Sequence, residues 1–148
     1  MKRVLFVCIG NACRSQMAEG FARAYGSDVL IPASAGLGPA MSVARDTIAA
    51  MSEKGIDLRH HFPKAIRNLG RAKFDLVVNM SGSDIPEGEV PGAKIIEWDV
   101  PDPVFFQYED HCEVRDQIET LVMQLLLELR QAAKPPQMRG QGSGRLDL

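Results

Sequence analysis

A short segment near the amino terminus carries the two side chains that chemistry on a bound oxyanion needs. Cys8 supplies a thiol, whose thiolate attacks phosphorus or arsenic, and Arg14 supplies a planar guanidinium that binds oxygens in pairs. Ser15 follows directly and is placed to donate its hydroxyl hydrogen to the sulfur, which stabilises the thiolate as nucleophile and later as leaving group. We therefore predict Cys8 and Arg14 as catalytic residues.

The residues on either side of this segment predict how it is folded. The apolar run 4–7 is typical of a buried strand, and residues 16–22 read as the first turns of a helix. A tight loop between a strand and a helix points backbone N–H groups at an anion, and Gly10 and Asn11 tolerate the backbone conformations that such a loop demands. The predicted substrate-binding residues are Ile9, Gly10, Asn11, Ala12, Cys13, Arg14 and Ser15.

A second candidate group lies far along the chain. A carboxylic acid that protonates the departing oxygen speeds the loss of an alkoxide or phenoxide from phosphorus by about 10²–10⁴-fold. Asp102 stands between Pro101 and Pro103, which stiffen its loop, and we predict it as this catalytic acid and as the base that then activates water. Asp-Pro pairs are also common turn initiators. Asp99 is the rival candidate, although a loop cap or a solvent-exposed position suits it better.

The apolar pattern alternates between strand-like and helix-like segments, which is typical of an α/β sheet. We predict strands at 2–8, at 29–31 with its turn at 34–36, at 74–80 and at 93–97, and helices at 15–25, 42–54, 64–71 and 109–132. Ser42 is the expected cap of the second helix, and Gly55 its end. Ligands bind beyond the carboxyl ends of parallel strands, so Cys8, Ser34 and Asp102 are expected at one edge of the sheet.

Length and composition exclude several classes of protein. The 148 residues suit one domain with a single core, and the net charge of −2 argues against general binding of nucleic acid or of a membrane. No apolar run spans a bilayer, no signal peptide is recognisable, and three cysteines do not make a disulfide framework, so a cytoplasmic protein is expected. We assign the domain to residues 1–133 and predict a disordered tail at 134–148, which is rich in glycine and polar residues.

The motifs together resemble a known family. Cys8 to Ser15 is similar to the phosphate loop of the low-molecular-weight protein tyrosine phosphatases, and the thioredoxin-coupled arsenate reductases share that loop and the fold. The likeness runs from Lys2 to about Gln131 and includes Ser34-Ala35-Gly36, Gly55-Ile56-Asp57 and Asp102-Pro103. It implies a single three-layer α/β domain, in which helices flank a four-stranded parallel sheet and the phosphate loop follows the first strand. It also implies that the Asp of the Asp-Pro pair is the catalytic acid.

The resemblance further implies which residues support the loop. Ser34 and a histidine near the end of the Gly55-Ile56-Asp57 segment would orient Asn11, and the spacing leaves both His60 and His61 open for that role. Loop support is therefore expected from Asn11, Ser15 and Ser34.

Two further cysteines need an interpretation. In many relatives a cysteine at the position of Cys13 forms a disulfide with the nucleophile and protects it from irreversible over-oxidation. Cys13 is accordingly a possible redox partner of Cys8, and a packed side chain under the loop is the alternative. Cys112 is most simply structural.

The function that fits these residues best is metal-independent hydrolysis of a phosphomonoester, of the protein tyrosine phosphatase type, through a cysteinyl-phosphate intermediate. The substrate would be a phosphorylated protein or a small phosphomonoester, and no metal or cofactor is expected. Arsenate reduction with an external thiol is the alternative, because residues 16–20 resemble the reductases. The two further cysteines of the thioredoxin-coupled reductases are, however, missing from residues 80–84. A non-catalytic oxyanion-binding module is the second alternative, although it would need neither the thiol nor Asp102.

The expected substrate cleft differs from that of many relatives. They carry an aromatic wall where this chain has Ala40, and a tyrosine after the Asp-Pro pair where it has Val104-Phe105-Phe106. Phe105 or Phe106 would therefore offer one ring face to a phenyl group. A shallower cleft with a broader range of substrates is the result we expect.

Overall fold

A four-stranded parallel sheet forms the centre of the molecule. The computed structural model describes residues 1–134, so the predicted disordered tail lies, apart from Lys134, outside the described residues. The strands are β1 (Lys2–Cys8), β2 (Leu30–Gly36), β3 (Leu76–Asn79) and β4 (Lys94–Glu97). Their spatial order is β2-β1-β3-β4, and every neighbouring pair is parallel, as the sequence predicts.

Three helices complete the domain: α1 (Arg14–Tyr25), α2 (Arg45–Ser52) and α3 (Tyr108–Ala133). A single 3₁₀ turn, Ile66–Leu69, follows α2. Because every neighbouring pair of strands is parallel, the carboxyl ends of the strands meet at one edge of the sheet. Within residues 1–134, no helix is both long enough and apolar enough to cross a membrane.

The central strand β1 is buried on both faces. Val4 and Phe6 face α1, α2 and α3 and join the larger apolar cluster, whereas Leu5 and Val7 face the 3₁₀ turn and join the smaller one. All four side chains are fully buried, and a side chain of this kind stabilises the fold by about 1.5–3 kcal/mol. The continuous apolar run therefore positions Cys8 rigidly at the carboxyl end of the strand.

The long helix α3 confirms the predicted core stripe only in part. Val114, Ile118 and Leu125 are buried as expected, but Leu121 and Leu129 are only partly buried. Val122 and Leu126, which the predicted stripe did not include, are fully buried. The buried face of the helix is wider than this single stripe, so it also includes positions beside it.

Two predicted helices are shorter in the structure, and both differences have a cause in the phosphate loop. α2 begins after Ala44 and not at Ser42, because the backbone of residues 38–44 pairs with that loop. The predicted helix 64–71 is reduced to the 3₁₀ turn, since Lys64 pairs with β2 and with the loop through its backbone. The prediction that Ser42 caps α2 is therefore wrong.

Candidate active site

The loop between β1 and α1 is held from outside by backbone hydrogen bonds. The carbonyl groups of Ile9, Gly10 and Ala12 accept hydrogen bonds from the N–H groups of Gly38, Ala40 and Ala44 at 2.8, 2.9 and 3.0 Å. Asn11 has a positive φ of 51°, which reverses the chain inside the loop. No N–H group of residues 9–13 donates to another backbone carbonyl in the described part of the chain, so these donors are available to an anion.

Gly36, at the end of β2, lets the neighbouring strand approach this loop closely. A Cβ atom added at Gly36 would lie 2.6 Å from the carbonyl oxygen of Ile9 and 2.8 Å from the backbone nitrogen of Asn11. Real Cβ atoms do not come this close to backbone atoms. The glycine of the Ser-Ala-Gly motif is therefore required by the packing of the loop against β2.

A chain of hydrogen bonds with a fixed direction ends at the sulfur of Cys8. The backbone N–H of Lys64 donates to Oδ1 of Asn11 at 3.0 Å, which identifies the other amide atom as Nδ2. Nδ2 of Asn11 donates to Oγ of Ser15 at 2.6 Å. The hydroxyl hydrogen of Ser15 is then free for Sγ of Cys8, which lies 2.9 Å away. The structure thus brings Cys8, Asn11 and Ser15 together as the sequence predicts.

Gln16 connects this chain to a histidine, and the sequence did not single it out. Its Nε2 lies 3.1–3.2 Å from Oδ1 and the carbonyl oxygen of Asn11 and from the carbonyl oxygen of Phe62. Its Oε1 therefore faces Nδ1 of His61 at 2.8 Å, and that ring nitrogen carries the hydrogen. Burial lowers the pKa of His61. His61, and not the exposed His60, is the histidine beside the loop.

Ser34 lies at the predicted edge but contacts a different partner from the expected Asn11. Its hydroxyl donates to Oε1 of Glu19 at 2.5 Å, and Nζ of Lys64 lies 3.5 Å from the same hydroxyl. The buried Glu19 also pairs with Arg23 at 2.6 Å and with Nζ of Lys64 at 4.0 Å. Ser34 therefore supports the loop only indirectly, through the Glu19 and Lys64 side chains.

The guanidinium of Arg14 is buried and held by the ends of two other strands. Its NH1 donates to the carbonyl oxygen of Met80, after β3, and to that of Val100, after β4, the latter at 3.0 Å. Nε has no hydrogen-bond partner within residues 1–134, although it is buried. A buried donor without an acceptor costs about 1–3 kcal/mol, and an oxyanion on the loop would supply the acceptor.

Asp102 lies beside Arg14, as the sequence predicts. Oδ2 of Asp102 is 3.4 Å from NH2 of Arg14, and Oδ1 accepts a hydrogen bond from the N–H of Val104 at 3.1 Å. Its side chain is 37% exposed, so it is accessible from the solvent side of the site. Asp99 is exposed and takes part through its carbonyl oxygen, which accepts from Gln117 at 3.2 Å. Asp102 is thus the carboxylate that the fold brings to the loop.

The cysteines differ in their surroundings. Cys8, Cys13 and Cys112 are all free thiols. Burial raises the pKa of Cys13 to about 12, although a hydrogen bond from the hydroxyl of Thr47 acts in the opposite direction. Cys13 is therefore a neutral thiol near pH 7. Cys112 is half-buried and lies 3.8 Å from a carboxylate oxygen of Glu53, away from the loop.

Aromatic side chains follow the acid along its loop. Phe105 and Phe106 are 92% and 66% exposed. Phe106 lines a cavity of about 300 Å³ together with Pro101, Asp102 and Pro103. An apolar surface therefore continues directly from the candidate acid.

Comparison with known proteins agrees with this geometry. Residues 3–135 match the family model described as low molecular weight phosphotyrosine protein phosphatase. A glutaredoxin arsenate reductase from Synechocystis sp. is 34% identical over 131 residues, which cover 87% of this chain and 99% of the relative. The family model thus spans both candidate catalytic segments.

Solved structures with the same fold include enzymes of two kinds. An arsenate reductase in the phosphate binding state superimposes with a TM-score of 0.78 at 34% identity, covering 87% of this chain and 99% of that one. The YwlE arginine phosphatase from Geobacillus stearothermophilus superimposes with a TM-score of 0.79 at 26% identity, covering 89% and 95%. The chain therefore belongs to the low-molecular-weight phosphotyrosine protein phosphatase family.

Proposed function

We propose that this protein is a metal-independent phosphomonoester hydrolase that works through a cysteinyl-phosphate intermediate. The observation that carries the proposal is that Asp102, from a distant segment, lies beside the loop that carries both Cys8 and Arg14. Sγ of Cys8 accepts the Ser15 hydroxyl at 2.9 Å, and the guanidinium of Arg14 lies between the loop and the Asp102 carboxylate at 3.4 Å. A site that only binds oxyanions needs neither a thiol nor an acid.

In the first half of the reaction, Sγ of Cys8 attacks phosphorus on the side opposite the leaving oxygen. The S–P bond forms and the P–O bond breaks, and the departing oxygen takes the proton of Asp102. Arg14 and the loop N–H groups hold the three remaining oxygens throughout, which stabilises the charge that develops on them.

In the second half, the Asp102 carboxylate takes a proton from water, and the water oxygen attacks phosphorus. The S–P bond breaks and its electron pair returns to Cys8, where the Ser15 hydroxyl donates a hydrogen bond to the departing thiolate. The product is inorganic phosphate, and both residues regain their starting protonation states.

The surroundings of Asp102 favour an aryl or other apolar leaving group. Phe106 and the prolines at 101 and 103 line the cavity beside the acid. Stacking of a substrate ring on Phe106 would contribute about 0.5–1.5 kcal/mol. Ala40 lies beside Gly10 of the loop and offers no second ring. An aryl phosphate is therefore the first substrate to test, and phosphoarginine is the second because an arginine phosphatase shares the fold.

Arsenate reduction is a second candidate, because the relative from Synechocystis is named an arsenate reductase. Reducing arsenate to arsenite requires two electrons, which two thiols supply by becoming a disulfide. This chain has three cysteines, and residues 80–84 after β3 contain none of them. Cys8 would therefore have to pair with an external thiol such as glutathione, or with Cys13. The absence of thiols from residues 80–84 is why we place hydrolysis first.

The deciding experiment compares three assays on one preparation. We expect release of p-nitrophenol from p-nitrophenyl phosphate, undiminished by EDTA, at a rate well above arsenate-dependent oxidation of glutathione or thioredoxin. Cys8→Ser should abolish turnover while inorganic phosphate still binds, because Arg14 and the loop amides remain. Arsenate reduction without hydrolysis would reverse the ranking of the two functions. Phosphate binding by the wild type with neither activity would indicate a binding module.

A further inference from the structure

Four consecutive carbonyl groups of the phosphate loop, at residues 9–12, accept hydrogen bonds from outside the loop, and one of them has a different kind of donor. Three accept backbone N–H groups of the segment 38–44. The fourth belongs to Asn11, and no backbone N–H group of residues 1–134 donates to it. Its donor is a side chain, because Nε2 of Gln16 lies 3.2 Å from this carbonyl oxygen. Gln16 therefore takes the place that a backbone donor has at the other three positions.

The orientation of each carbonyl group fixes the orientation of the N–H group that follows it. In a trans peptide the C=O and N–H bonds point in opposite directions, and residues 1–134 contain no cis peptide bond. Because the carbonyl of Asn11 points outward to Gln16, the N–H group of Ala12 points to the opposite side, into the loop. An N–H group that points inward is what an oxyanion on the loop requires. The contact between Gln16 and Asn11 therefore bears on one donor of the candidate anion site.

Gln16 also holds the side chain of Asn11. Its Nε2 lies 3.1 Å from Oδ1 of Asn11, which accepts the backbone N–H of Lys64 as well, at 3.0 Å. With Oδ1 engaged by two donors, Nδ2 is the amide atom that faces Ser15. Asn11 has a positive φ, which is costly for a residue other than glycine. One amide group thus binds both the backbone and the side chain of the residue that needs the most support.

The surroundings of Gln16 fix the orientation of its own amide. Gln16 is fully buried, and its Nε2 faces a third oxygen, the carbonyl oxygen of Phe62, at 3.2 Å. Its Oε1 lies 2.8 Å from Nδ1 of His61. A methionine would fill a similar volume without the cost of burying an amide. The contacts with Phe62 and His61 join α1 to the segment 61–64, and the contacts with Asn11 add a role inside the loop.

We propose that Gln16 is a positioning residue for oxyanion binding, which turns the N–H group of Ala12 toward the phosphate. The inference rests on the phosphate site of the proposed function, and it does not require hydrolysis. Without the amide of Gln16, no donor of the described residues holds the carbonyl of Asn11, so the peptide unit between Asn11 and Ala12 is free to rotate. The neighbouring peptide units keep their backbone partners and should remain in place.

The test titrates the full-length protein, labelled with nitrogen-15, with inorganic phosphate and follows the amide resonances of the loop by NMR. In the wild type, phosphate should shift the N–H resonances of Gly10, Asn11, Ala12 and Cys13. In Gln16→Met the shift of Ala12 should be lost, whereas the other three shifts should remain. The affinity for phosphate should fall about tenfold, which is the effect expected from the loss of one hydrogen bond to a charged group.

The matched control is Tyr25→Phe, which removes one side-chain hydrogen bond of the same helix, to Glu119 at 3.1 Å. It should leave the phosphate-induced shifts and the affinity unchanged. A wild-type shift of Ala12 in Gln16→Met would overturn the inference, even in a protein that hydrolyses phosphate esters. Loss of all the loop shifts together would overturn it as well, because Gln16 would then support the loop only as a whole. So would a wild type in which phosphate shifts no loop amide.

A second variant decides if Gln16→Met does not fold, as judged by thermal unfolding. Gln16→Glu keeps the size of glutamine and still accepts a hydrogen bond from His61, but it presents no N–H group to Asn11. The shift of Ala12 should be lost in this variant too, and its persistence would overturn the inference. Selective loss at Ala12 in a protein that releases no p-nitrophenol from p-nitrophenyl phosphate would keep the inference and refute only the proposed hydrolase.

Discussion

The two halves of the candidate site are built in opposite ways. On the phosphate side, Asn11 and Ser15 are fully buried and every hydrogen bond leading to Cys8 has a fixed direction. On the leaving-group side, Asp102 is partly exposed and the neighbouring Phe105 is almost fully exposed. The difference fits the proposed function, in which a rigid frame binds the oxyanion and the rest of the substrate is loosely defined.

We expect the largest loss of activity from a change at Arg14, because its guanidinium lies between the phosphate side and the leaving-group side of the site. We expect Arg14→Lys to lower kcat/KM for p-nitrophenyl phosphate by about 10³-fold. Lysine keeps the charge but cannot contact Met80, Val100 and two phosphate oxygens at the same time. Steady-state kinetics measure the loss, and Arg23→Lys in the same helix is the matched control. Activity within tenfold of the wild type would show that charge alone is sufficient.

On the leaving-group side, Asp102→Asn should slow the departure of the leaving group. The change removes the transferable proton and keeps the size of the side chain, so kcat for an alkyl phosphate should fall by about 10²–10⁴-fold. For p-nitrophenyl phosphate, whose leaving group hardly needs a proton, the loss should be much smaller. A series of aryl and alkyl phosphates measures the dependence on leaving-group pKa. An equal loss across the series would show that Asp102 is not the acid; Asp99→Asn is the control.

On the phosphate side, Gly36→Ala should displace the loop without contacting any reacting group. The added Cβ would meet the carbonyl of Ile9 at 2.6 Å, so either the loop or β2 has to shift. Overpacking of this kind costs about 1–3 kcal/mol of stability. We expect weaker inhibition by inorganic phosphate and a lower melting temperature. Gly38→Ala is the control, since an added Cβ there meets no atom within 4 Å. Unchanged phosphate inhibition in Gly36→Ala would mean that the loop is not rigid.

The smallest effect is expected at the exposed aromatic surface. Phe106→Ala should raise KM for an aryl phosphate by about two- to tenfold, which corresponds to the loss of one stacking contact. KM for a small alkyl phosphate should remain unchanged. Phe105→Ala is the comparison, because Phe105 does not line the cavity beside Asp102. If both variants behave as the wild type on both substrates, the aromatic residues do not define the leaving-group side.

Local spacing was sufficient to predict part of this architecture. The positions of Cys8, Arg14 and Asp102 follow from a strand, a loop and an Asp-Pro pair, and the single sheet edge follows from parallel topology. The supports of the loop were harder to predict, because their contacts join residues far apart in sequence. Gln16 reaches a histidine 45 positions away, and Lys64 reaches Asn11 across 53 positions.

For a charged or amide side chain on a helix, the sequence does not tell whether the side chain is buried or exposed. Glu19 and Gln16 occupy positions that solvent would suit equally well, yet both side chains are buried. Gln16 contacts His61 and Phe62, and Glu19 contacts Ser34 and Lys64. Ser34 was assigned the wrong partner for the same reason, since the carboxylate it binds comes from α1. The length of α2 was also overestimated, because residues 38–44 pair with the phosphate loop and Ser42 does not cap the helix.

The anchoring of Arg14 has a consequence for how this scaffold diversifies. Arg14 binds the segment after β3 through the backbone carbonyl oxygen of Met80, and every amino acid has such a carbonyl. The position of the guanidinium therefore does not depend on which side chain residue 80 carries. A scaffold with such an anchor keeps its guanidinium in place while the side chain at this position changes, and solved structures with this fold include an arsenate reductase and an arginine phosphatase.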